Sequence, residues 1–171
     1  MARKEHSQDD FSAGMHAFLN NRYEDSTTSF SRVIDNDPHN RLALVSRGAA
    51  YLQLMRLQEA EDDFDRAIAV DARSAKPFHL RGLVHDRQGR SREALDDFSQ
   101  AIERDPEYGA AYYSRSAVYT RLGEHAKAQE DIEAFTLLTE KNVAEYAEEN
   151  NVWRSHHMTL EDGGITDPMQ R

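Results

Sequence analysis

The sequence predicts an all-α stack of four helical hairpins, each 34 residues long. Three observations predict it. Phe30, Phe64, Phe98 and Ile132 follow one another at intervals of 34. Gly14, Gly48, Gly82 and Ser116 form a second column at the same interval, and Val33, Ala67, Ala101 and Phe135 a third. Within each interval, two runs of 3.6-residue apolar period are separated by a short turn. Fixed self-similarity at this length is the mark of a repeat array rather than of a single globule.

The columns set the blocks at 7–40, 41–74, 75–108 and 109–142, after a flank of residues 1–6. In the third block one helical pattern covers Ala75 to Gln88, Gly89 breaks it, and a second runs from Arg92 to Arg104. Asp105-Pro106 ends that second helix, as Asp37-Pro38 does in the first block, because proline disfavours helix in the residue before it. Asn21, Met55, Gly89 and Gly123 share the turn column. Glycine suits a left-handed helix end; Met55 does not, so a different second turn is expected. The small residues of the glycine column let two helices approach, and the phenylalanine column fills the space beside them. One hairpin cannot bury both faces, so neighbours must stack.

In the third block Phe78, Gly82, Gly89, Ala94, Phe98, Ala101 and Pro106 stand at set offsets. Leu44, Gly48, Tyr51, Ala60, Phe64 and Ala67 repeat most of them in the second, and Tyr112, Tyr119, Gly123 and Ala128 in the fourth. This pattern resembles the tetratricopeptide repeat, and the resemblance covers residues 7–142. It implies a right-handed superhelical solenoid of four helix-turn-helix repeats. Departures are Ala72 and Glu140 for the proline, Ser116 for the glycine, and Asp10 in the first aromatic slot, with Phe11 and Phe18 one residue late. The first helix of block one is therefore expected to pack differently. Residues 143–158 continue the first-helix pattern, with Tyr146 and Trp153 in the columns of Tyr112 and Tyr119. In this family such a segment is a C-terminal capping helix over the last hairpin. The tail, 159–171, reads as disordered, having Gly-Gly and Asp-Pro and little to bury.

Composition limits the function. Hydrophobic residues make up 39% and charged residues 30%, a thin core that suits an elongated one-layer stack. A net charge of −10 disfavours nucleic acid. The absence of cysteine excludes disulfides and thiol chemistry, and no apolar run is long enough for a membrane span. No secretory signal is visible, so a cytoplasmic protein is the default. No phosphate-binding glycine loop or nucleophile elbow is present. His156 and His157, near Glu161 and Asp162, are too loosely placed for a metal, and His85 falls in the column of Tyr51 and Tyr119 and reads as a packed core histidine. No enzyme, cofactor or metal is expected.

Two sets of residues remain. Arg47, Arg81 and Arg115 share one column, and Asp63, Asp97 and Asp131 another sixteen residues on; block one lacks both, having Ala13 and Ser29. Their joint presence predicts structural ion pairs bridging the helices of each hairpin, the guanidinium fork holding the carboxylate. The second set comes from the resemblance, which places the first helix of each repeat on a concave groove. Carried onto this chain, the groove includes Phe11, Met15, Phe18, Leu42, Val45, Lys76, His79, Arg87, Tyr113 and Arg121. Its first half is apolar, and its second half carries Lys76, Arg87 and Arg121 against Asp86. An extended or helical partner segment is expected, apolar near Phe11 and Met15 and acidic near Arg87. Phe11, Met15 and Phe18 suit a second role equally, completing the core of the first hairpin.

The resemblance implies a protein–protein interaction module: an adaptor, scaffold or assembly factor. Family members that hold a chaperone's C-terminal carboxylate use lysines, asparagines and an arginine at fixed concave positions. Those positions hold Phe11, Met15, Ser46, Lys76 and Leu80 from block one, and Val45, Ala49, Leu80, Ala110 and Ser114 from block two. Lys76 alone matches, so a carboxylate clamp is not expected. The alternative function is self-assembly, a homodimer formed through the N-terminal hairpin.

Overall fold

The computed structural model describes the backbone of residues 2–149 and the side chains of residues 7–146. It consists of α1 (Ala2–Leu19), α2 (Tyr23–Asn36), α3 (Arg41–Gln53), α4 (Leu57–Val70), α5 (Ala75–Arg87), α6 (Ser91–Arg104), α7 (Gly109–Arg121) and α8 (His125–Glu149). Consecutive helices pair as α1–α2, α3–α4, α5–α6 and α7–α8, and each pair stacks on the next. Among the described residues, the backbone of each first helix also comes close to that of the first helix in the following hairpin, whereas the backbones of successive second helices stay further apart. The stack therefore closes up on the side of α1, α3, α5 and α7, which becomes the inner face.

Inside each hairpin a ring lies against a glycine. A Cβ placed on Gly14, Gly48 or Gly82 would come within 2.7, 2.7 and 2.6 Å of Cε1 of Phe30, Phe64 and Phe98. The three rings are fully buried. Between hairpins the cement is aliphatic: Val33, Ile34, Ala43, Leu44, Val45 and Ala67 form one cluster across α2, α3 and α4. Phe11 joins it from α1 and meets Phe30 edge-on at 5.4 Å. Phe11 thus takes up core space beside Asp10, whose carboxylate lies 3.5 Å from Arg32. The first helix does not pack differently: Gly14 meets Phe30 as the later glycines meet theirs.

The second turn does not differ either. Asn21 and Met55 have φ of 58°, Gly89 76° and Gly123 77°. In each, the residue after the turn donates its backbone N–H five residues back, as Arg56 does to Tyr51 at 2.9 Å and Arg90 to His85 at 2.9 Å. This helix-terminating geometry uses up carbonyls that would otherwise lack donors. Hairpin closure imposes it on Met55 in spite of the side chain.

The two ends of the array correct two expected boundaries. The flank 1–6 is not separate, for α1 begins at Ala2. At the other end no new helix starts at 143, because α8 runs unbroken from His125 to Glu149. The reason is a missing stop. α2, α4 and α6 end at Asp37, Asp71 and Asp105. These carboxylates accept from the backbone N–H two residues on, at 3.2, 3.1 and 3.0 Å. Thr139-Glu140 stands at the corresponding place, with neither aspartate nor proline. Residues 150–158 of the expected cap and the tail 159–171 lie outside the described residues.

Candidate binding face

Three arginine–aspartate pairs run along the stack. Arg47 Nε donates to Asp63 Oδ2 at 2.8 Å and Nη2 to Oδ1 at 2.7 Å. Arg81 grips Asp97 at 2.9 and 2.6 Å, and Arg115 grips Asp131 at 2.9 and 2.7 Å. The aspartates are buried, and the hydrogen bonds that each arginine donates to its aspartate, ahead of the opposing cost of burial, raise the arginine's already high pKa. The third nitrogen of each fork has a use that the column pair did not reveal. Nη1 of Arg47, Arg81 and Arg115 reaches Ser31 at 2.9 Å, Asp65 at 2.6 Å and Ser99 at 2.9 Å, all on the preceding hairpin. Each arginine therefore ties two hairpins, and the signal for it was a third column sixteen residues upstream.

Beside the middle pair lies a polar cluster. His85 places Nδ1 3.0 Å from Asp97 Oδ2 and Nε2 3.2 Å from Glu61 Oε1. Burial opposes the charge of Glu61, but hydrogen bonds from Arg90, His85 and Gln88 outweigh it and hold the carboxyl below its ordinary range. In the neighbouring hairpins this column is tyrosine, with Arg56 above the Tyr51 ring at 4.6 Å and Lys127 above Tyr119 at 5.4 Å. The cluster is a set of struts between α4, α5 and α6.

The inner face sorts the groove residues into three groups. Met15, Phe18, Val45, Ser46, Ala49 and Lys76 border one depression of about 130 Å³ between α1, α3 and α5. Met15 is 36% exposed, while Val45 is buried and forms the floor. Phe18 is half-buried against the edge of Tyr23 at 5.4 Å. Lys76 is exposed and has no carboxylate partner among the described residues. Phe11 and Leu42 fall elsewhere, in a larger depression at the edge of the stack with Val33 and Asp37.

His79, Arg87, Tyr113 and Arg121 are not drawn together. His79 is buried between hairpins, with Nε2 3.0 Å from Ser114 Oγ, Nδ1 3.4 Å from Tyr108 Oη, and its ring against Tyr108 and Phe98. Burial first, and Lys76 second, push its pKa down to about 4. Arg87 donates to the Leu52 carbonyl at 3.2 Å. Arg121 pairs with Asp86. That pair cancels one of the three positive charges counted along the groove. Tyr113 is 57% exposed and stacks obliquely on Phe135. Among the described residues no group of metal-ligating side chains gathers, and no helix is long and apolar enough to cross a membrane.

Paired helices, a small-residue seam, left-handed turns and an inner face of first helices define a tetratricopeptide-type array. A tetratricopeptide repeat family model matches residues 11–77 and 79–135, and the chain belongs to that family. Its members are typically non-catalytic interaction modules. Among solved structures, MamA superposes with a TM-score of 0.75 at 22% identity, over 81% of each chain. The tetratricopeptide domain of Arabidopsis OM64 gives 0.67 at 24% identity, over 70% of this chain and 98% of the other. The second such domain of human RPAP3, solved in complex with the HSP70 peptide SGPTIEEVD, gives 0.65 at 28%, over 68% and 97%. A comparison with curated proteins finds no match.

Proposed function

We propose that this chain is an adaptor that holds a short segment of a partner protein on its inner face. One observation carries the reading: the depression floored by Val45 and Ala49, walled by Met15 and Phe18, with the unpaired Lys76 at its rim. An apolar pocket with a single charge at its margin fixes both what enters and which way round it lies. The pocket takes one aliphatic side chain, and Lys76 a carboxylate next to it. Arg87 extends the positive side, whereas Arg121 is already matched by Asp86. RPAP3's bound peptide supports peptide binding as the mode of use. A chaperone tail is disfavoured, because Lys76 is the sole clamp-type residue at the concave positions.

An array of peptides pairing apolar with acidic residues, probed with the full chain, tests this. Selected peptides should bind about tenfold more weakly to Lys76→Glu, the loss expected for one charge-assisted contact. Absence of any preference for acidic–apolar peptides would remove the reading.

A separate observation favours self-association. Ile132, Leu137 and Val143 are exposed on α8, at the end away from the first hairpin. A dimer built there would use the last hairpin and not the N-terminal one. Light scattering on the full chain and on Leu137→Glu separates monomer from dimer.

A further inference from the structure

The three gaps between successive hairpins are one place met three times, and two of them are closed, each by a different side chain. Between the second and third hairpins Arg41, at the head of α3, lies against the end of α4. Its Nη1 donates to Ser74 Oγ at 3.3 Å and its Nε stands 3.8 Å from Asp71 Oδ2. Between the third and fourth, Ala75 holds the arginine's position, and Tyr108 occupies the space, edge-on to His79 at 5.3 Å. Between the first and second, the corresponding positions are Ser7, Asp37 and Asn40.

Ser7 cannot span the gap that Arg41 spans. A depression of about 590 Å³ is left there, with Phe11, Val33 and Leu42 as its apolar wall and Asp37 and Asn40 on its polar side. Leu42 is 58% exposed. Asp37 accepts from the backbone N–H of His39 at 3.2 Å, and among the described residues no basic side chain pairs with it. An open apolar wall facing a carboxylate matches one kind of side chain: a long aliphatic stem with a cationic head. Arginine suits the place better than lysine, because a planar fork can address two acceptors, here Asp37 and the Asn40 side-chain oxygen, which also accepts from the Ala43 N–H at 3.0 Å. The next gap holds that same group on the same two positions.

We propose that the first gap binds an arginine side chain of the partner protein, its stem on Phe11 and Leu42 and its guanidinium on Asp37. The proposal rests on the peptide-binding reading and adds to it: the partner carries an arginine as well as the apolar and acidic residues at the inner pocket. A net charge of −10 favours the approach of such a segment.

Nα-acetyl-arginine amide titrated into the ¹⁵N-labelled full chain tests it, with Nα-acetyl-citrulline amide as the uncharged isostere. Saturable shifts at the amides of Asp37, Asn40 and Leu42 are expected with the arginine probe alone. Asp37→Asn keeps the acceptor for His39 and should weaken the titration about tenfold. Ser7→Arg, copying Arg41, should abolish it. Equal shifts with citrulline, an unchanged titration in Asp37→Asn, or no shifts at all would overturn the proposal. So would binding that appears only in Arg3→Gln, since the pocket would then belong to the chain's own arginine on α1. Lys76→Glu should leave this titration unchanged, so failure of the inner-pocket reading and failure of this one show in different variants.

Discussion

Arg81 clasps Asp97 with two nitrogens, at 2.9 and 2.6 Å, and gives the third to Asp65 of the preceding hairpin at 2.6 Å. Asp97 is 4% exposed, so its carboxylate is taken out of water, while the Arg81 side chain keeps 23% exposure. Removing one member of such a pair leaves the other charge buried, at a cost of about 3–5 kcal/mol. Arg81→Ala should therefore destabilise by about 3 kcal/mol in urea denaturation. Arg81→Ala with Asp97→Ala should lose clearly less than the sum of the single variants, because the second change removes the stranded charge. Strict additivity would mean that the two side chains do not act as a pair.

The turn column separates backbone cost from packing cost. A Cβ on Gly89 would meet nothing within 4 Å, yet its φ is 76°. Gly89→Ala should cost about 1 kcal/mol through the backbone alone. Met55 already bears that cost at φ 58°. Met55→Gly should then raise stability by about 0.5–1 kcal/mol. Thermal melts of the two variants should move in opposite directions, and a fall in both would contradict the account.

What the sequence made legible follows from which contacts are local to one hairpin. The sixteen-residue spacing of glycine to phenylalanine, and of arginine to aspartate, spans a single hairpin and repeats. Those columns could be read without a structure. Ser116 even changes together with Ile132, the one block in which no ring needs the space. Contacts between hairpins were harder. Arg121 finds Asp86 thirty-five residues back, and His79 is covered by Ser114 and Tyr108 of the next repeat. Position within a block says which way a side chain points, not what the neighbour places over it. The run of α8 past 142 was hidden for a different reason: the resemblance supplied a cap, and the missing aspartate and proline at Thr139-Glu140 argued for continuation.

The small-residue seam gives a prediction about size. A methyl on Gly82 would stand 2.6 Å from Phe98 Cε1 and 3.2 Å from Asp97 Cβ. The Phe98 ring is fully buried and has nowhere to retreat. Overpacking of this kind costs about 1–3 kcal/mol, against about 1 kcal/mol regained from replacing glycine in a helix. Gly82→Ala should be destabilising by up to about 2 kcal/mol in chemical denaturation, and Phe98→Leu in the same chain should recover part of the loss. Melting at the natural temperature, with the ring still in place, would show that the helices can move apart at no cost.

His79 makes stability depend on pH. Its imidazole is neutral in the fold, with a pKa pushed down to about 4 by burial and by Lys76, against an ordinary value of 6.5. The unfolded chain therefore binds a proton on His79 at a pH where the folded chain does not. Its neutral form is fully compatible with the fold above about pH 6.5. Between there and about pH 4 the unfolded state gains, and the loss approaches about 3 kcal/mol at the lower end. Ser114 and Tyr108 flank the two ring nitrogens, and neither can neutralise an imidazolium. The His79→Gln variant keeps hydrogen-bonding capacity and cannot titrate. Urea denaturation of both proteins from pH 7.5 to 4.5 should show the natural chain losing more stability than the variant, with carboxylate effects common to the two cancelling in the difference. Parallel curves across that window would mean that His79 takes up its proton as readily in the folded chain as in the unfolded one.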